Sequence, residues 1–202
     1  MRKLIVNTFL TLDGVMQAPG GPEEDRSGGF EHGGWSVNFW DERMGEVADS
    51  IFGKPFDLVL GRRTYEIFAA HWPHATEDIA KPMNDATKHV ASRTLTSVEW
   101  QNSELIEGDV VEAVRTLKQA DGPELQVHGS ANLLQTLIGA DVIDEYHVWT
   151  FPVVVGGGKR LFAEGAVPGA LELVDSVTSS TGVVISTYVP AGELVTGSFA
   201  LE

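Results

Sequence analysis

The chain of 202 residues contains no cysteine. That excludes disulfides and every metal site built on thiolate, and it fits a reducing compartment. Positive charge is scarce as well. Fourteen Lys and Arg face 29 Asp and Glu, which leaves a net charge of −15. Such a surface repels phosphate backbones and anionic lipid, so neither nucleic acid nor membrane is an expected partner. Long apolar runs are missing too. No stretch approaches the roughly 20 residues that span a bilayer. The apolar start is broken by Asn7 and Thr8, which suits a buried first strand better than a secretory leader. A cytoplasmic protein is expected. The hydrolase pattern G-x-S-x-G does not occur. Gly156-Gly157-Gly158-Lys159 lacks the leading glycine and the Ser or Thr of a P-loop. Pro73 separates His71 from His74, so no metal is expected there.

What is present is globular. Hydrophobic residues make up 43% and charged residues 21%, in a length that suits one domain with a real core. The expected organisation is a single domain over residues 1–190 and a tail over 191–202. Apolar patterning predicts strands at Leu4–Leu10, Asp57–Leu60, Lys88–Ala91 and Leu125–Val127. Helices are predicted over 37–52, after Gly61 as far as Pro73, from the Asp109/Glu112 capping box, and through Leu133, Leu134, Leu137 and Ile138. The last third changes to strands alone, at Glu145–Val155, Glu172–Ser179 and Val183–Val189, with a hairpin turn at Thr181-Gly182. This order predicts a three-layer α/β fold, its mixed and mostly parallel sheet ending in an antiparallel C-terminal edge. The apolar residues of the late strands point to a homodimer. Residues 18–36, rich in Gly, Pro and acid, read as a long mobile loop, with Ala18 to Gly34 as a lid over the substrate side.

In open α/β sheets, ligands bind beyond the carboxyl ends of the strands. Three such ends carry unusual chemistry: Gly61-Arg62-Arg63-Thr64, Ser92-Arg93-Thr94 and Gly129-Ser130-Ala131-Asn132. Glycine before a helix lets a phosphate approach free N–H groups. Guanidinium suits bidentate phosphate contact. In a chain so poor in positive charge, these ends predict a phosphorylated nucleotide.

The same residues carry a resemblance. Thr11-Leu12-Asp13-Gly14, Gly61 to Glu66, His128-Gly129-Ser130 with Leu133 and Leu137, Ile143-Asp144-Glu145, and Pro152 to Phe162 stand in an order that resembles the dihydrofolate-reductase-like superfamily. The nearest branch is the reductase domain of the bifunctional riboflavin-biosynthesis protein. The resemblance implies NADPH and hydride transfer to a small, heterocyclic or imine/carbonyl substrate. It puts Gly61, Arg62, Arg63 and Thr64 on the adenosine phosphates, and Ser92, Arg93 and Thr94 on the 2′-phosphate. Gly129, Ser130, Ala131, Asn132 and Leu133 fall on the pyrophosphate. The loop from Leu12 to Gln17, including Val15 and Gln17, falls near the nicotinamide, and Asp13 on the substrate side.

Two departures separate this chain from the riboflavin enzymes. Val127 stands where they carry a substrate-binding glutamate, and the cysteines of a deaminase zinc site are absent. Trp35, Phe39 and Trp40 would form an apolar wall for a flat ring. Asp41, placed shortly after Trp35 much as dihydrofolate reductases place an acid, and His128 are the candidate proton donors. The alternative is a nucleotide-binding protein without turnover.

Overall fold

A computed structural model describes residues 1–200. Eight strands form one sheet: β1 Leu4–Thr11, β2 Phe56–Gly61, β3 Lys88–Ala91, β4 Ser103–Leu105, β5 Glu124–His128, β6 Glu145–Phe151, β7 Leu171–Thr178 and β8 Val184–Pro190. Their order is β4-β3-β2-β5-β1-β6-β8-β7. The first six in that order are parallel, and β8 runs against both of its neighbours. The expected mixed sheet is therefore present, and the antiparallel pairings lie at the C-terminal edge. Central strands are apolar on both faces, as in Leu4-Ile5-Val6 and Leu58-Val59-Leu60, because helices cover both sides.

Five helices supply the cover: α1 Glu42–Phe52, α2 Arg62–His71, α3 Ala80–Asp85, α4 Val110–Gln119 and α5 Ala131–Gly139. One face packs Val114 of α4 and Leu133, Leu134 and Leu137 of α5 against Leu4, Val6, Val59, Leu125 and Val127. On the other, α1 and α2 lie over two clusters. Met44 and Ala48 meet Trp149 and Phe151, while Tyr65 and Phe68 meet Phe56, Leu58, Leu60 and Trp100. Among the described residues no helix is long and apolar enough to cross a membrane.

Several boundaries differ from the sequence reading, each for a local reason. The first helix begins at Glu42, not at 37. Residues 37–39 make one 3-10 turn, Trp40 is extended, and Asp41 caps α1 by accepting from the Met44 amide at 2.9 Å. Only half of the expected capping box forms on α4. Asp109 accepts from the amides of Val111 and Glu112, but the Glu112 carboxylate pairs with Arg115 rather than turning back. β6 stops at Phe151, because Pro152 has no N–H to continue the ladder. The three-residue edge strand β4 and the six-residue α3 were too short to leave a period. The hairpin turn at Thr181-Gly182 forms as expected, with Gly182 at φ +86. Residues 191–200 of the predicted tail carry no helix or strand; residues 201–202 fall outside the described part.

Loop 18–36 is not loose. Ala18, Asp25, Phe30 and Ser36 are buried. Gln17 donates to the carbonyls of Asp25 and Ser27, Trp35 Nε1 donates to Gln17 O, and Lys159 pairs with Asp25 at 2.6 Å. These bonds pin a segment that composition alone suggested would open cheaply.

Candidate functional site

β3, β2 and β5 are consecutive in the sheet, so the three unusual strand ends come together at its C-terminal edge. They form one wall of a cleft of about 1920 Å³. A typical small-molecule pocket holds roughly 300–1,000 Å³, so this cleft has room for a dinucleotide and a second ligand beside it. Pro19 to Ser27 line it as well.

The helix starts at these ends are left open. Gly61 is the N-cap of α2 and Ser130 that of α5, and neither offers a side-chain oxygen to its own helix. Ser130 Oγ is committed elsewhere. It accepts from the Gly61 amide at 2.8 Å and donates to Thr64 Oγ1 at 2.8 Å, which ties the two helix starts together. The first-turn amides of both helices are thus without side-chain caps, and the positive ends of two helix dipoles meet at one place. A Cβ at Gly61 would lie 3.2 Å from Ser130 Cβ, so a side chain there would crowd Ser130 and push it back by a few tenths of an ångström. Gly129 needs glycine for a different reason. Its φ is +65, and a Cβ there would meet nothing nearer than Thr64 Oγ1 at 3.8 Å.

Arg62 is held in place by Glu66 at 2.7 Å and Thr94 Oγ1 at 2.6 Å. Arg63 donates to the Glu24 carbonyl at 3.4 Å. Arg93 is exposed and has no side-chain partner among the described residues. Ser92 Oγ accepts from the amides of Thr94 and Leu95 and so shapes the turn that presents Arg93.

All of the cofactor candidates from Gly61 to Thr64, Ser92 to Thr94 and Gly129 to Leu133 line the cleft. Val15 does not: it is fully buried against Ala18 and Phe30. Gln17 reaches the cleft, but its amide is consumed in pinning the loop, with Oε1 accepting from the Lys159 amide as well.

The substrate and proton-donor candidates fare differently. Asp13 accepts from Thr11 Oγ1 and from the amides of Val155 and Gly156, away from the cleft. The Thr11 bond is the main reason its carboxyl sits below the usual range. Trp35 and Phe39 pack edge-on against Phe151, leaving Trp40 as the one member of the expected apolar wall that lines the cleft, stacked on Trp149. Asp41 is a structural cap and not an acid facing the cleft. It accepts from Ser180 through both Oγ and the amide, and then from Met44, and these bonds hold it ionised below the ordinary carboxylate range.

His128 does line the cleft, stacked on Phe52 at 5.4 Å. Burial, helped by the nearby His147, pushes its pKa down to about 3, so the ring is neutral at physiological pH and holds no ionic proton to give. This has a consequence for stability. The unfolded histidine titrates near 6.5, so below that pH the unfolded chain takes up a proton that the folded chain refuses. Stability from this residue is complete above pH 6.5 and falls by about 1.4 kcal/mol per pH unit as pH drops toward 3. Urea denaturation between pH 7 and 4 should show that decline, and His128→Phe should flatten it. An equal slope in the variant would assign the acid sensitivity to other groups.

The sequence reading missed the polar and aromatic floor. Asn7, Phe9 and Trp149 reach the cleft from β1 and β6, and Asp49 and Phe52 reach it from α1. In the sequence Asn7 shows only as a break in an apolar run, and Asp49 carries no signal of its own. Strand alternation marks each as facing one side, but which side holds a cleft is not written in the period.

Comparison with known proteins agrees with this geometry. The family model of the RibD C-terminal domain matches residues 2–185. The uncharacterized protein YyaP of Bacillus subtilis (strain 168) is 28% identical over 193 residues, covering 93% of this chain and 94% of that one. In fold, a Shewanella sp. PV-4 protein provisionally assigned to riboflavin biosynthesis matches with a TM-score of 0.70 at 22% identity, covering 94% of this chain and 99% of that one. Dihydrofolate reductase from Enterococcus faecalis, solved with NADP(H), matches with a TM-score of 0.59 at 15% identity, over 93% of this chain and 96% of that one. The fold is thus dihydrofolate-reductase-like, and the chain belongs to the family of the RibD C-terminal domain.

Proposed function

We propose that the protein is an NADPH-dependent reductase that delivers hydride to a small, planar C=N or C=O substrate. The observation that carries this reading is the meeting of two uncapped helix starts and the Arg62, Arg63 and Arg93 cluster at adjacent strand ends. The donor set fits a dinucleotide phosphate. First-turn amides of α2 and α5 suit the pyrophosphate, and the unpartnered guanidinium of Arg93, beside Thr94, suits a further phosphate on the ribose. When bound, NADPH supplies the hydride. The chain's own work is to hold the phosphates, align the rings and keep water out. The aromatic half of the cleft, with Trp40, Phe52 and Trp149, is left for the substrate.

Reduction also needs a proton. Asp41 is turned away and His128 is neutral. Asp49 is the carboxylate that α1 brings to the cleft, and it is exposed to solvent. We assign it the relay of a solvent proton. Titration with NADPH should quench tryptophan emission, and NADH should bind more weakly. With an accepted C=N or C=O substrate, Asp49→Asn should slow NADPH oxidation by about 10²-fold or more, whereas Asp41→Asn should leave it unchanged. Absence of NADPH binding would remove the reductase reading. An unaffected Asp49→Asn would remove only the proton assignment.

A further inference from the structure

We propose that the substrate half of the cleft takes its substrate as a flat organic cation, a ring whose C=N group is protonated or N-alkylated, held on the face of Trp40 and paired with Asp49. This deepens the reductase reading and rests on it for the chemistry, though not for the binding.

Charge divides the cleft along the strand order. Arg62, Arg63 and Arg93 stand at the ends of β2 and β3. The other two cations that line the cleft are spent: Arg26 pairs with Glu23, and Lys159 pairs with Asp25 at 2.6 Å. β1 and β6 lie on the far side of β5. Among the described residues, β1, β6, α1 and Trp40 bring no Lys or Arg to the cleft. Their one formal charge there is the carboxylate of Asp49, which is exposed and has no ion-pair partner among the described residues.

What remains on that side is aromatic. Phe9 and Trp149 are register partners on β1 and β6, with ring centroids 5.3 Å apart. Trp40 stacks on Trp149 at 6.0 Å and is itself 52% exposed, the most open of these rings. On α1, Gly45, Asp49 and Phe52 are four and three residues apart, so they share the stripe that faces the cleft. Gly45 adds no side chain to it, and a Cβ there would meet nothing within 4 Å. That part of the stripe is left open for a ligand.

These parts suit one sign of charge. The face of an aromatic ring is the negative end of its quadrupole and attracts a cation. Asp49 adds a full negative charge on the same side. An anion is repelled by both and finds no free cation there to receive it. A neutral ring gains the stacking alone.

The chemistry agrees. A C=N carbon accepts hydride readily once its nitrogen is positive. The hydride forms the new C–H bond, the π pair moves onto nitrogen and cancels its charge, and NADPH is oxidised to NADP⁺. No proton is taken up in that step. A ring that arrives as a cation, or is protonated through Asp49, leaves the carboxylate beside the charge it stabilises. This suits a cleft in which Asp41 is bonded to Ser180 and His128 is neutral.

The test uses three two-ring ligands of similar shape at pH 8, without cofactor: N-methylisoquinolinium, a permanent cation; isoquinoline, uncharged; and 2-naphthoate, an anion. Calorimetry gives the affinity of the first, and the other two are read as its competitors, which confines the comparison to one site. The wild-type protein should bind N-methylisoquinolinium at least about 5-fold more tightly than either competitor. Trp40→Leu should lower that preference to about 2-fold or less, and Trp40→Phe, which keeps a ring face, should retain most of it. Asp49→Asn, at an exposed position that folding does not need, should weaken the cation several-fold and leave isoquinoline unchanged. A smaller preference in the wild-type protein, no binding of the cation, or a preference untouched in both Trp40→Leu and Asp49→Asn overturns the proposal; if Trp40→Leu does not fold, Asp49→Asn alone decides. Failure to bind NADPH, titrated separately, would remove the reductase reading and leave this selectivity standing.

Discussion

Arg93→Ala is expected to weaken NADPH binding by roughly 10- to 150-fold and to leave NADH binding nearly unchanged. A hydrogen bond to a charged group contributes roughly 1.5–3 kcal/mol, and each 1.4 kcal/mol is about a factor of ten. Arg93 is the arginine of the cluster whose side chain has no other commitment, so its whole donor fork is free for a ligand. Arg62 is a different case. Glu66 and Thr94 already hold it, and a phosphate must compete with them. Arg62→Ala should therefore cost less than Arg93→Ala, although both residues belong to the same set of strand ends. Parallel titrations of the two variants with NADPH and NADH decide the matter. Equal losses for both cofactors would mean that Arg93 touches the shared pyrophosphate and not a 2′-phosphate.

Phe151→Ala is expected to destabilise the protein by about 3–5 kcal/mol, the range for deleting a buried phenyl ring from a packed core. Phe151 is fully buried at the end of β6. Its ring packs against Phe9 at 5.1 Å, Trp35 at 5.3 Å and Phe39 at 5.9 Å. Domains are stable by only about 5–15 kcal/mol, so this one side chain accounts for a large part of the margin. For a chain of this size the loss corresponds to a fall in Tm of roughly 10 °C. Trp35 in turn holds Gln17 and, through it, the loop that forms the rim of the cleft. The variant should thus expose residues 18–36 to proteolysis before it unfolds globally. A loss below about 1 kcal/mol in urea denaturation would show that the aromatic cluster closes over the gap.

The contrast between these two residues marks what each level of description contains. Arg93 was legible in the sequence. It stands at the end of a short apolar strand in a chain with few cations, and that is a local pattern. The parallel sheet, its antiparallel edge and most helix positions were legible for the same reason, since a periodicity of two or 3.6 and a cap or a turn are written in consecutive residues. The short β4 and α3 left too few residues to show a period.

The roles of Asp13, Gln17, Trp35, Phe39 and Asp41 were not legible. Each is a polar or aromatic residue in a segment near the site, and sequence proximity does not say which neighbours it meets. Gln17 bonds across to Lys159, Asp13 to Gly156, and Asp41 to Ser180, partners about 140 residues away. His128 shows the same limit in its chemistry. Its position beside Gly129 is local, but its depressed pKa comes from burial beneath α1 and α2 and from His147 on another strand. By itself the sequence determined most of the element order, the sheet type and the three strand ends where glycine and arginine gather, because these depend on short-range pattern. The tertiary structure alone decided which side chains face the cleft and which are spent on holding loops, because hydrogen-bond satisfaction and burial depend on contacts between residues far apart in the chain.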